Sequence, residues 1–323
     1  MSRTAQRLDW LDLFRGLAVL GMIWTHSANT FLDAALQQTA WFHELTYYHG
    51  LIAPAFFWIA GFARAHVTTE TRKPALPALK RLLLVLLTGY LLHVPWDRLL
   101  DTQAVLRAVI AVDVLHCLAL TGILLLVLER CGRWREAAAL VLMLLFVSLE
   151  GPAREWSTGV RALDAWWSPA HGSVFTLFPW AGFGLAGFAT RRIWNGGVNR
   201  RALVTAGTGA LLAFAQPVFF LERLGWVMLA AVVVAMLAEN VARFTGWLRL
   251  AGRESLLLYV VHLLIIHSIP LPRLPLQHLI GPTQPPEMVA CIFTILFGLS
   301  LALGIWNERR KRAARERRLT GPR

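Results

Sequence analysis

Long apolar runs alternate along the chain with short breaks rich in arginine. A helix rises 1.5 Å per residue, so roughly 20 apolar residues cross about 30 Å of hydrocarbon. By that measure the pattern predicts ten spanning helices, over residues 10–31, 49–66, 79–96, 108–128, 137–149, 173–190, 202–220, 224–241, 254–270 and 287–306. The fifth run is short for a full crossing and suits a helix that tilts little or lies among its neighbours. No internal repeat, low-complexity stretch or separate soluble domain is visible. The expected organisation is one transmembrane domain over 1–306 and a basic cytoplasmic tail over 307–323. The first run holds Asp12 and Arg15 and is too long for a secretory-signal core, so it is expected to stay in the mature protein.

Composition agrees with a bilayer. Of 323 residues, 56% are hydrophobic and 16% charged, where a soluble domain carries about 25% charged residues. The net charge of +13 does not point to nucleic acid, because the charges sit in clusters between apolar runs and no single face collects them. Their distribution gives a direction instead. With the N-terminus inside, 25 of the 32 lysines and arginines fall on the inner side and six on the outer, with Arg15 within the first span. That is the positive-inside bias, and it predicts an all-α bundle with both termini in the cytoplasm. The tail, RRKRAARERR, then serves as a stop signal that also meets anionic membrane lipid. Three scattered cysteines, Cys117, Cys131 and Cys291, match neither a disulfide framework nor a metal site, and no metal is expected.

Ionisable residues inside spans carry the chemistry, since each costs a few kcal/mol in hydrocarbon unless paired or wet. In LDWLDLFRGLAVLGMIWTH (residues 8–26) ten residues separate Arg15 from His26. Eleven helical steps leave them about 20° apart in phase and about 16 Å apart along one face. Asp12 lies one turn below Arg15. Asp12 and Arg15 read equally as an ion pair anchoring the helix end, and His26 alone as a satisfied core histidine. Together they place an anion-binding group inside and an acid/base group outside on one stripe. Eight of the ten histidines fall in the outer half or outer loops on this topology, which suits acid/base chemistry there. Hydrogen bonding at loop ends explains His43, His93 and His278 as well.

Further candidates follow the same logic. Asp113 and His116 stand one turn apart on the fourth run, either an acid/base pair or a buried tie between helices. Ser255, Tyr259 and His262 recur at i, i+4 and i+7, a polar stripe that lines a tunnel or hydrogen-bonds between helices. Residues 150–171 hold Glu150, Glu155 and Asp164 beside Trp156, Trp166 and Trp167, a mixture that stacks on sugars or anchors at the interface.

Segment 8–26 resembles the first-helix signature of the membrane acyltransferase superfamily, in which an Asp precedes Arg-Gly and a His follows the Arg after ten residues. That superfamily joins the acyltransferase-3 proteins to relatives of heparan-alpha-glucosaminide N-acetyltransferase. GLIAPAFFWIAGFA (50–63), VDVLHCLAL (112–120), FTLFPWAGFGLAGF (175–188) and AGRESLLLYVVH (251–262) are similar to its later segments, in order. In the heparan-type branch a histidine after the first helix is catalytic, so His49 or His43 competes with His26.

The resemblance implies acyl transfer from cytoplasmic acetyl-CoA or another acyl-CoA to a hydroxyl or amine of an extracytoplasmic glycan or glycolipid, in a bacterial inner membrane. The polyanionic nucleotide is expected on inner basic groups such as Arg15, Arg64 and Arg72, with Ser255, Tyr259 and His262 along the cofactor path and His26 at the thioester. The competing classes are a proton-coupled secondary transporter, which also uses intramembrane Asp, His and Arg, and a non-catalytic membrane scaffold. Repeated halves and paired Gly/Pro-broken spans, which a transporter favours, are absent from the sequence.

Overall fold

A computed structural model describes residues 8–70, 75–96, 99–194, 198–214, 218–268 and 275–320. The described elements are helical, apart from one isolated bridge between Leu32 and Gln284. A helix stands at each of the ten apolar runs, with ends moved by several residues. The principal helices are α1 (Asp9–Phe31), α2 (Ala40–His49), α3 (Ile52–Glu70), α4 (Ala75–His93), α5 (Thr102–Ile110), α6 (Val114–Leu128), α7 (Arg135–Ser148), α8 (Leu177–Thr190), α9 (Val198–Ala213), α10 (Phe219–Leu237), α11 (Gly246–Arg253), α12 (Ser255–Leu263), α13 (Leu276–Ile280) and α14 (Pro286–Thr320).

Five helical stretches among the described residues are long and apolar enough to cross a membrane: Ala40–Val67, Ala75–His93, Thr102–Ser148, Phe219–Leu237 and Pro286–Arg317. A sixth arises if α11 and the helix that follows it, bent by 78°, are one broken span. α1 falls short because Asp9, Asp12, Arg15, Thr25, His26, Ser27 and Asn29 dilute its apolar run. α8 is too short, yet from Pro179 to Thr190 nearly every residue is buried. The chain is a multi-pass helical membrane protein.

The chain divides into two compact units, Met1–Leu11 with Gly50–Met236, and Asp12–His49 with Leu237–Arg323. In the first, α8 is the core helix and packs on α3, α6 and α7. Lipid is as apolar as leucine, so helices associate through close packing, and small residues at crossings set how near two backbones come. A Cβ on Gly61 of α3 would stand 1.9 Å from the Gly184 carbonyl oxygen, and one on Gly187 of α8 2.0 Å from that of Trp58. Aromatic rings fill the rest, with Phe183 against Phe220 at 4.4 Å and Trp10 stacked on Trp194 at 4.7 Å. Asp101 starts α5 by accepting from the Ala104 N–H at 3.0 Å, the usual cap of an exposed helix end.

In the second unit α1 crosses α11 at the same kind of contact. A Cβ on Gly16 would lie 2.0 Å from the Leu248 carbonyl oxygen, and one on Gly252 1.9 Å from that of Asp12. The sharp bend between α11 and α12 falls at Glu254, which is buried. Its carboxylate accepts from Lys311 Nζ at 2.7 and 2.8 Å and from Asn307 Nδ2 at 2.7 Å, so the bend is tied to α14. At the other end, backbone bonds join Gln284 to Phe31 and Asp33, each at 2.9 Å. α14 runs unbroken into the basic segment, with Arg309 to Arg317 exposed.

Candidate active site

The histidine of α1 does not stand alone. In the second unit the His26 ring lies 5.2 Å from that of His262 and 6.1 Å from that of His267, centroid to centroid. Tyr259, one turn before His262, packs edge-on against it at 5.7 Å. Tyr259 and His262 are buried, while His26, His267 and Ser255 are half-buried. Of the polar stripe on α12, His262 lies beside His26, and Tyr259 packs on His262.

Sequence reasoning missed His267, and the reason is geometric. On an α-helix, residues five apart point about 140° away from each other. The helix instead continues from α12 into a π-helical turn, Leu264–Ser268, where the i→i+5 bonding pattern lowers the twist per residue. His262 and His267 thus come to one side. Only the spacing His-x4-His was visible in advance, and that spacing on an α-helix argues against a shared face.

Each ring is oriented through Nδ1. His262 Nδ1 lies 2.8 Å from the Leu258 carbonyl; an oxygen there requires a donor, so Nδ1 carries the proton and Nε2 a lone pair. That Nε2 is buried with no hydrogen-bond partner among the described residues. His267 Nδ1 lies 2.7 Å from Gln277 Oε1. On α1, Asp12 is buried and Arg15 half-buried. His49, at the end of α2, has both ring nitrogens buried without a partner among the described residues and its ring 6.5 Å from Phe42.

The first unit holds a second polar cluster. Asp113 and His116 were expected one turn apart within a continuous helix over 108–128. That expectation is corrected: the helix breaks at 111–113, and Asp113 is the N-cap of α6, with extended backbone at φ −115° and ψ 178°. Asp and a following residue able to bond back satisfy orphan N–H groups at a helix start, which favours a break over a continuous helix. The Asp113 side chain meets the N3 backbone N–H, and His116 Nδ1 accepts from the Asp113 N–H at 3.2 Å. His93 Nε2 faces the Asp113 carboxylate at 3.6 Å, and Tyr90 packs edge-on to His116 at 4.2 Å.

Of the inner basic candidates, Arg64 on α3 is engaged with Glu129, its Nη2 reaching Oε2 at 2.6 Å. Arg72 lies outside the described residues. Arg191, at the end of α8, is buried and donates from Nη2 to His66 Nδ1 at 3.0 Å. In the segment between α7 and α8, Asp164 accepts from the Thr158 N–H at 2.8 Å, the Thr158 hydroxyl at 2.7 Å and the Ser157 hydroxyl at 2.9 Å. Those bonds, the backbone N–H first, hold its carboxyl below the usual carboxylate range. Arg154 pairs with Glu150 at 2.9 Å, and Trp167 Nε1 donates to the Trp156 carbonyl at 3.1 Å. The segment is thus internally bonded.

A half-buried imidazole with two other histidine rings close by is a group able to accept or pass on a proton. No curated protein matches the chain. The sequence profile described as heparan-alpha-glucosaminide N-acetyltransferase, catalytic, matches residues 7–225, which include Arg15, His26, His49, Asp113 and His116. The chain belongs to the heparan-alpha-glucosaminide N-acetyltransferase family of membrane acyltransferases.

Proposed function

We propose that this protein transfers an acetyl group from cytoplasmic acetyl-CoA to a hydroxyl or amine of an extracytoplasmic sugar, with His26 as the acid/base group at the reacting centre. The family match carries the reaction class. The observation that carries the site is the convergence of His26 with His262 and His267.

The orientation proposed is ten spans with both termini inside, in a bacterial inner membrane. It rests on the lopsided distribution of arginine and lysine. On that topology Arg15 sits near the inner face and His26 towards the outer, separated along α1 by about 16 Å. An extended pantetheine arm is of that order of length. The nucleotide end is polyanionic and suits Arg15, with Arg64 and Arg72 as further contacts. Arg64 would have to exchange its Glu129 partner for phosphate. Ser255, Tyr259 and His262 line the path to the thioester. His26 removes the proton of the acceptor as its oxygen or nitrogen attacks the thioester carbon. His49, Asp113 and His116 remain the other candidate acid/base groups.

The test uses purified protein in sealed vesicles with labelled acetyl-CoA and an amino sugar on opposite sides. Transfer by the wild-type protein, lost in His26→Ala but with acetyl-CoA still raising the melting temperature, is the expected result. No stabilisation by any acyl-CoA would remove the proposal.

A further inference from the structure

His262 carries the acceptor that a protonated His26 needs. The Leu258 carbonyl fixes its Nδ1 as the N–H, so its Nε2 is a hydrogen-bond acceptor. That acceptor is fully buried, has no donor among the described residues, and belongs to a ring 5.2 Å from the His26 ring. A buried polar atom left unsatisfied is destabilising, so this one calls for a donor that arrives. Neutral His26 has one ring N–H. Imidazolium has two.

We propose that His262 is the proton partner of His26: its Nε2 receives, directly or through one water, the N–H that His26 gains when it deprotonates the acceptor. The inference rests on the acyltransfer reading and assigns it a second histidine. In the step, the acceptor's O–H or N–H bond breaks, its electron pair forms the new bond to the acyl carbon, and the proton passes to His26. The C–S bond then breaks with its electrons leaving on sulfur. Sharing the proton with His262 spreads the positive charge over two rings in a site where an isolated imidazolium is costly. The proton finally returns to the thiolate, releasing CoA thiol, and both rings are neutral again. His262 acts through His26 and is a positioning residue in this scheme.

The titratable groups near His262 are His26 from α1, His267 from the π-helical turn, and Tyr259 on its own helix. His267 also packs against His26, its ring 6.1 Å away. His267 Nδ1 likewise faces an oxygen, Gln277 Oε1, but that ring is half-buried, whereas the acceptor of His262 is fully buried with no donor among the described residues.

The experiment compares His262→Ala and His262→Gln in the full chain, reading acetyl transfer against pH and thermal stabilisation by acetyl-CoA. Glutamine can accept a hydrogen bond but cannot take a proton. Both variants are expected to lose about 10- to 100-fold in kcat, within the range of acid–base contributions, with KM for acetyl-CoA changed less than about threefold. The acid limb of the kcat profile should move to lower pH, because the remaining ring holds its proton less tightly. Acetyl-CoA stabilisation persisting in both variants would show that they fold and bind. Wild-type kcat and an unmoved acid limb in His262→Gln would overturn the pairing and leave acyl transfer standing. Failure of the wild-type protein to transfer any acyl group would overturn acyl transfer, and the pairing with it.

Discussion

Two buried histidines, His262 in one unit and His116 in the other, have the same exposure, 0%, and opposite chemistry. Each has an Nε2 with no hydrogen-bond partner among the described residues. At His262, Nδ1 faces a carbonyl and must donate, which leaves Nε2 as a base. At His116, Nδ1 accepts the Asp113 N–H, which leaves the proton on Nε2. The first can receive a proton, and the second can only offer a hydrogen bond unless its tautomer changes. One backbone group thus decides what a buried histidine can do. A list of titratable residues from sequence does not contain that distinction.

The sharpest break of this comparison is at the reacting centre. His26→Ala should lower kcat by about 100- to 10,000-fold, the range for a lost acid–base group. His116→Phe keeps the packing against Tyr90 and should cost less than about tenfold, with both read as initial rates of acetyl transfer at saturating acetyl-CoA. A loss in His116→Phe equal to that in His26→Ala would place the second cluster in the reaction as an electrophilic donor. Next, Asp113→Ala removes the α6 cap and should destabilise the protein by about 1 kcal/mol. The readout is a lower melting temperature with acetyl-CoA affinity kept. Arg15→Ala should raise KM for acetyl-CoA by about tenfold, since a charge-assisted contact contributes about 1.5–3 kcal/mol, while chemistry at saturation stays within a few-fold.

The smallest effect is expected far from either histidine. The Asp164 carboxylate is held below its ordinary range by Thr158 and Ser157. A depressed folded value means that its contribution is present above the unfolded value, about 3.9, and is lost as pH falls through the lower folded one. Tryptophan emission from Trp156 and Trp167 should therefore hold steady down to about pH 4 and change only below it. Asp164→Asn should show the altered emission already at neutral pH.

How much was legible in the sequence differs between helices and site. Apolar runs fix helix positions because the bilayer demands them, and a helix is present at each of the ten. Arg15 and His26 on α1, and Tyr259 and His262 on α12, share faces as 3.6-residue periodicity requires. Three things were hidden. The π-helical turn that brings in His267 follows from local bonding that no periodicity signals. The break before α6 depended on Asp113 serving as a cap, which competed with a continuous apolar count. Glu129 lies 65 residues from Arg64, so their pairing is a product of packing. Sequence located the ionisable groups, and tertiary contacts decided which remained available.

The central claim is that acetyl transfer runs through His26. Its most direct test is labelled acetyl transfer in sealed vesicles by the wild-type protein and by His26→Ala, with acetyl-CoA supplied on the side of the basic tail alone. The account predicts labelled sugar on the opposite side for the wild-type protein and at least a 100-fold lower rate for the variant. Equal transfer by both would contradict it.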